Sequence, residues 1–420
     1  MGKSELLLLS AAVSLAWLSG TTVSAQTRTA DGMQGMNWAC YAGNGAGTPY
    51  PDGLTGNDSY EQAYAVGQRI GNAVKNAGGK SVRMPITPTL ATGTPWWRYG
   101  GAINGVTSTG MKVILCHWPA TGTTINDKNA WLAMWDSVNS TYGNTMMVRY
   151  EPINEPAAYN TTDLKNLYAE FLTRYNPPAY KCILDGTGYA VDVKPIGDDS
   201  RFNNQLLGLH SYHWYWGSGG NWQTYYNAMA NAVGSHAWRT VVTEIGVQTV
   251  NNSGTFWQKW EPSMTSDIAL LSGALAWCRD NDVATIAWSG INDGDWYHWF
   301  NANTDLTEAN VGVADMFRWS WKIKDAITTQ PVSQTIPTGR SVTFTVAASG
   351  SPTPTFQWFK ETTIIAGATS TSYTIASPSS ADAGSYSVTI TNPAGSVTSN
   401  PAVLTVIVPP SVAVITITVG

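Results

Sequence analysis

The stretch Tyr150-Glu151-Pro152-Ile153-Asn154-Glu155-Pro156 decides how the rest of the chain is read. It closes an apolar, strand-like run on Asn-Glu-Pro and so places one carboxylate, Glu155, at a strand end. A second β-branched run, Val241-Val242-Thr243-Glu244-Ile245-Gly246, again ends on a glutamate followed by glycine. Cleavage of a glycosidic bond needs such a pair: one carboxyl protonated to donate to the leaving oxygen, and one ionised to attack or to activate water.

Working outward, short β-branched runs alternate with helix-favouring stretches from Gly35 to about Ile327, the pattern of parallel strands joined by helices. Strands are expected at 35–38, 81–85, 112–117, 146–153, 181–185, 206–212, 240–244 and 284–288. Helices are expected at 59–76, 97–109, 128–142, 162–174, 222–233, 263–280 and 314–325, with only a weak one after the fifth strand. Gly78-Gly79 and Gly110 supply left-handed stops after the first two helices. Eight such units predict an α/β fold, a closed (β/α)8 TIM barrel. An open doubly wound sheet would carry a Gly-rich phosphate turn after its first strand, and Gly43, Gly45 and Gly47 lack G-x-G-x-x-G spacing.

Past residue 327 the composition turns to Thr, Ser, Val and Pro with recurring turn signals, as in an all-β sandwich. Val342-x-Phe344-x-Val346, Phe356-Gln357-Trp358-Phe359 and Asp382-Ala383-Gly384-Ser385-Tyr386-Ser387-Val388 resemble the immunoglobulin-like sandwich. Trp358 matches its buried strand-C tryptophan and Tyr386 its tyrosine corner, while Val346 and Val388 stand where antibody domains place a disulfide. The expected organisation is a signal peptide at 1–25, a catalytic barrel at 26–327, the sandwich at 328–408 and an unassigned Val/Ile-rich tail at 409–420.

The signal reading rests on Lys3, the apolar run from Leu6 to Leu18, and Val23-Ser24-Ala25 as a small-x-small cleavage site. It predicts a secreted or cell-surface product. No later apolar run approaches the roughly 20 residues of a membrane span. A net charge of -5 with 12% charged residues argues against a nucleic-acid partner, which would call for a basic face. Twenty Trp against eight Phe is a surplus of flat faces with one polar edge, and all but Trp17 and Trp358 fall in the barrel region. Cys40, Cys116, Cys182 and Cys278 form no Cys-x-x-Cys pair and read as buried thiols or one structural disulfide.

Polar or aromatic groups recur at the other strand ends, where barrel packing alone would not choose them: Arg83, His117, Asn154, His210 with Tyr212, and Trp288. Val82-Arg83-Met84-Pro85, Ile114-Leu115-Cys116-His117, Asn154-Glu155-Pro156, His210-Ser211-Tyr212, Thr243-Glu244-Ile245-Gly246 and Ala287-Trp288, in this order, resemble glycoside hydrolase family 5 and its clan of retaining barrel enzymes. The resemblance implies Glu155 as acid/base and Glu244 as nucleophile. It implies Asn154 on the sugar 2-hydroxyl, Arg83 and Tyr212 holding Glu244 ionised, His117 and His210 lining the reacting subsite, and Trp288 as its platform.

Trp97, Trp118, Trp214, Trp216 and Trp296 follow strand ends and are candidate stacking subsites for a β-linked chain of several sugars. The expected activity is retaining cleavage of β-linked polysaccharide, endo-β-1,4-glucanase-like, by a monomer without a cofactor. A β-mannanase of the same clan, transglycosylation through the same intermediate, and a non-catalytic carbohydrate-binding surface protein are the alternatives. A zinc site at His117, His210 and His213 lacks His-Glu-x-x-His and any supporting cysteine pattern, so no metal is expected.

Overall fold

The computed structural model describes residues 33–38, 50–51, 53–91, 93–119, 124–217, 219–246, 265–291, 298–300, 316–318, 320–321, 326–350, 354–392 and 395–408. The expected signal peptide, the closing helix beyond residues 316–321, Cys40, Trp296 and the 409–420 tail lie outside them or only partly within them.

Eight parallel strands are present: β1 Gly35–Trp38, β2 Ser81–Ile86, β3 Lys112–His117, β4 Val148–Glu151, β5 Ile183–Asp185, β6 Leu206–Ser211, β7 Thr240–Ile245 and β8 Ala284–Ile291. Their order is β4-β3-β2-β1-β8-β7-β6-β5, and a parallel bridge between Tyr150 and Cys182 joins the two outer strands, closing the TIM barrel. β4 stops at Glu151, short of the expected 153, because Pro152 has no N–H to continue the ladder.

Helices α1 Tyr60–Asn76, α2 Gly93–Ser108, α3 Lys128–Tyr142, α4 Thr161–Tyr175, α8 Trp222–Val233 and α9 Thr265–Asp280 follow their strands. Ser59 caps α1 in a reciprocal box with Gln62, and Asp127, Asn160 and Asn221 cap α3, α4 and α8, so each chain turn into these helices is written in a side-chain oxygen. After β5 come two single turns, α5 Thr187–Ala190 and α6 Lys194–Gly197, and a 3-10 turn at Ser200–Phe202, and after β6 the short α7 His213–Trp216 precedes α8.

The barrel interior follows from the two-residue period of a strand. Ile114, Ile183, Leu206, Val241 and Ile286 cluster as an apolar floor separate from the larger core between strands and helices. Two residues further on, in-facing positions turn polar: Cys116 after Ile114, Asp185 after Ile183, Trp288 after Ile286. The floor is apolar, and polar side chains gather at the C-terminal strand ends. No helix among the described residues is long and apolar enough to cross a membrane. Cys116, Cys182 and Cys278 are buried free thiols.

The C-terminal region is all-β, with a first strand at Ala326–Thr329 and a last at Ala402–Ile407. Trp358, Tyr386, Val346 and Val388 share its core, and Trp358 sits in register opposite Val388. Trp358 donates its Nε1–H to the Ser370 carbonyl at 2.9 Å, and the Tyr386 hydroxyl donates to the Asp382 carbonyl at 2.8 Å, the tyrosine-corner bond. Valines in place of a disulfide leave the aromatic packing to hold the sandwich. Trp358→Ala should therefore cost about 3–5 kcal/mol in urea unfolding of this region; a loss under about 1 kcal/mol would show that Trp358 is not its keystone.

Candidate active site

The polar layer is organised by Arg83 on β2, which is buried. Its Nε and Nη2 donate to the two oxygens of Glu151 at 2.7 and 2.8 Å, and its Nη1 donates to Glu244 Oε1 at 2.7 Å and to Asn37 Oδ1 at 2.9 Å. Nη2 also reaches Asn154 Oδ1 at 2.6 Å and Cys116 Sγ at 3.0 Å. The planar fork thus ties together residues of β1, β3, β4, β7 and the turn after β4, a task a lysine point charge would not perform. Because Asn154 Oδ1 is occupied, its amide NH2 is left as the donor toward the mouth.

Glu244 would point away from the axis if β7 were regular. The ladder slips between Leu209 and His210 on one side and between Val242 and Ile245 on the other. This irregularity turns the Glu244 carboxylate inward, as bulges beside active sites do. There its second oxygen accepts from the Tyr212 hydroxyl at 2.8 Å.

Glu155 lies four residues past the end of β4 on a backbone with φ of 46°. That left-handed conformation is disfavoured for a non-glycine residue and again by the following Pro156, at a cost of order 1–3 kcal/mol. The Asn154 N–H donates to the His117 carbonyl at 2.9 Å, and the Glu155 N–H donates to Asp185 Oδ2 at 3.1 Å, which pin the turn. The Glu155 side chain meets His210 Nδ1 at 3.0 Å and accepts from the Tyr215 hydroxyl at 3.0 Å. Oxygens of Glu155 and Glu244 and a nitrogen of His210 all lie within 4.8 Å of one another.

Burial raises the pKa of Glu155, but the hydrogen bond and charge of His210, with Tyr215, outweigh it and hold the carboxyl below its ordinary range. At Glu244 burial prevails over His210, Arg83 and Tyr212, and the nearby Glu155 adds to it, so this carboxyl lies above its ordinary range. Arg83 does pull Glu244 down, as expected, but not far enough to offset desolvation. Burial also opposes charge on His210, yet Glu244, Glu155 and Asp185 lift it to about 9. In the resting site the proton therefore belongs to His210, with Glu155 as its ion-pair partner.

Of the remaining expected residues, His117 is buried against the Ile86 carbonyl at 3.3 Å and pushed by burial to about 4, a neutral ring. Among the described residues it joins no cluster of candidate metal ligands, and the His213 side chain lies outside them. Trp288 is half-buried and packs against Trp118 with ring centroids 5.4 Å apart, forming a two-ring wall. Trp97 is 56% exposed on α2 against Tyr60, and Trp216 packs on the barrel core. The Trp214 side chain and Trp296 lie outside the described residues.

Sequence reasoning did not single out Asn37, Glu151, Asp185, Tyr189 or Tyr215. Asn37, Glu151 and Asp185 share the two-residue period that carries Arg83 inward, and that period is the signal that would have found them. Tyr189 is 46% exposed and stacks on Tyr215 with centroids 5.3 Å apart and planes 14° from parallel, extending an aromatic face outward from Glu155.

A family model described as Cellulase (glycosyl hydrolase family 5) matches residues 42–294, more than half of the chain. The chain belongs to the cellulase family, glycosyl hydrolase family 5. The model described as Immunoglobulin domain matches residues 324–392, beyond the family 5 region. Endoglucanase C of Cellulomonas fimi is 40% identical over 87 residues, which are 19% of this chain and 8% of that protein. The chain thus spans less than a tenth of the length of that curated relative. Among solved structures, tandem Ig repeats of Dlar are 27% identical over 21% of this chain and 50% of theirs at a TM-score of 0.20. Immunoglobulin domains 1–5 of Sidekick-1 are 28% identical over 20% of each chain at 0.19.

The His210 charge has a testable sign. Its pKa is raised from 6.5 to about 9 on folding, so the stability it contributes is full below pH 6.5 and is lost as pH rises through about 9. Urea midpoints of the wild-type protein should decline over that window, and His210→Gln should flatten the decline; an equally steep fall in the variant would assign the effect to other groups.

Proposed function

We propose that the protein is a retaining glycoside hydrolase that cleaves β-linked polysaccharide, with Glu155 as acid/base and Glu244 as nucleophile. The observation that carries this reading is the approach of one oxygen of each carboxyl to within 4.8 Å of the other. Retaining enzymes hold their carboxyl pair about 5–5.5 Å apart, whereas inverting ones open about 6.5–9.5 Å to admit a water. An oxygen of each carboxyl lying this close to the other supports the retaining class.

In the first step Glu244, aimed by Arg83 and Tyr212, attacks the anomeric carbon as the glycosidic C–O bond breaks. Glu155 gives its proton to the departing oxygen, which leaves a glycosyl ester on Glu244. The proton reaches Glu155 from His210 Nδ1 across their 3.0 Å hydrogen bond, converting the ion pair to neutral imidazole and protonated carboxyl with no change in net charge. In the second step Glu155, now a carboxylate, takes a proton from water as its oxygen displaces Glu244. The Asn154 NH2 is placed for the sugar 2-hydroxyl, and the Trp118–Trp288 wall for an apolar sugar face.

A β-1,4-linked glucan is the substrate we propose, supported by the family's description as cellulase. Secretion is part of the same reading, resting on the leader-like residues 1–25 and on the insolubility of such polymers.

Hydrolysis followed by proton NMR should first release the β-anomer, and a first-formed α-anomer would reject the mechanism. Glu244→Ala should bring activity to background, and Glu155→Gln should lower kcat about 10²–10⁴-fold on polysaccharide. Reducing-sugar release should favour carboxymethylcellulose or mixed-linkage glucan over galactomannan and xylan. Tight glucan binding without reducing-sugar release in folded wild-type protein would instead support a non-catalytic binder.

A further inference from the structure

Asp185 ends β5, is completely buried, and takes no part in the proposed chemical steps. Its Oδ2 accepts the backbone N–H of Glu155 at 3.1 Å. That amide belongs to the residue with φ of 46°, whose carbonyl in turn accepts the Ala157 N–H at 2.7 Å, so the chain folds tightly around Pro156. The same Asp185 oxygen stands 3.9 Å from His210 Nε2, the ring nitrogen other than the Nδ1 that meets Glu155. Asp185 therefore touches the backbone of Glu155 and backs the imidazole that holds its side chain.

The fold makes room for this carboxyl. Gly208 on β6 is paired in register with Asp185, and a Cβ there would come within 2.2 Å of Asp185 Oδ1. The Tyr168 hydroxyl donates to the Asp185 backbone carbonyl at 2.9 Å and fixes the end of β5 behind it. A buried carboxyl, a glycine that admits it and a strained acceptor turn converge on one amide.

We infer that Asp185 is a positioning residue for Glu155, holding its left-handed backbone so that the carboxyl faces the scissile oxygen. The inference rests on the reading of Glu155 as acid/base. Burial, with Glu151 adding to it, pushes the Asp185 carboxyl well above the ordinary carboxylate range, so the role calls for an acceptor oxygen rather than a negative charge. An asparagine amide oxygen supplies the same acceptor; alanine does not.

The test compares kcat/KM on phenyl and dinitrophenyl β-cellobioside, since a poor leaving group needs the acid and a very good one does not. Asp185→Ala should lose about 10²-fold on the phenyl substrate, the cost of misplacing a reacting group by about 1 Å, and little on the dinitrophenyl one. Asp185→Asn should stay near wild type on both. Gly208→Ala, which crowds the carboxyl without removing it, should copy the selective loss and serves if the alanine variant at 185 does not fold. Equal losses on both substrates, or an asparagine variant as impaired as alanine, would overturn the inference. Glu155→Gln run in parallel separates the two levels. If it shows no leaving-group selectivity, the acid/base reading itself fails; if it does while Asp185→Ala does not, only the role of Asp185 fails.

Discussion

The mouth of the barrel depends on one buried cation. Taking a guanidinium out of water costs several kcal/mol, and it persists only where its donors are met with good geometry. Arg83 meets that condition through two oxygens of Glu151, one of Glu244, and the amide oxygens of Asn37 and Asn154. The same contacts that compensate the cation fix the substrate-side groups. Glu244 is oriented by it, and Asn154 is left with only its NH2 free to donate. Glu151 makes the others possible: it engages the guanidinium through Nε and Nη2 and leaves Nη1 for Glu244.

Around this anchor the protons are distributed by burial and proximity together. Three carboxyls surround His210, and their summed attraction overcomes the cost of a charged ring in the interior, placing its pKa at about 9. A positive ring between Glu155 and Glu244 screens two carboxyls that would otherwise repel at under 4.8 Å. This explains how so close a pair is tolerated at rest; in the proposed mechanism the same ring supplies the proton that Glu155 donates. The strained Glu155 turn belongs to the same economy: strain at one residue is held in place by hydrogen bonds from two strand ends.

Much of this was legible in the sequence. The eight strands were read nearly to their ends because β-branched runs with glycine or capping residues at their borders leave little choice of register. Arg83, Asn154, Glu155, His210, Tyr212 and Glu244 do converge, since strand ends of a closed barrel share one mouth. What escaped the sequence is set by three-dimensional detail. Glu244 faces inward through an irregularity of β7 that its sequence does not announce. Glu151 was hidden because the strand was carried past Pro152 to the Asn-Glu-Pro motif. The order of the two carboxyl pKa values was reversed because burial of Glu244 outweighs Arg83, a balance that needs coordinates. Tryptophan number alone was a poor guide to subsites: Trp131, Trp135 and Trp216 serve the core, while Tyr215 bonds Glu155 and Tyr189 stacks on Tyr215.

In the proposed mechanism Glu244 becomes covalently bound to sugar while Arg83 and Tyr212 hold it in line. Incubation with a fluorinated glucoside that forms the ester readily but releases it slowly, followed by proteolysis and peptide mass spectrometry, tests this most directly. One added sugar per chain is expected, located on Glu244 and absent in Glu244→Gln. A label on Glu155, or complete turnover of natural substrate by protein in which Glu244 is already labelled, would contradict it.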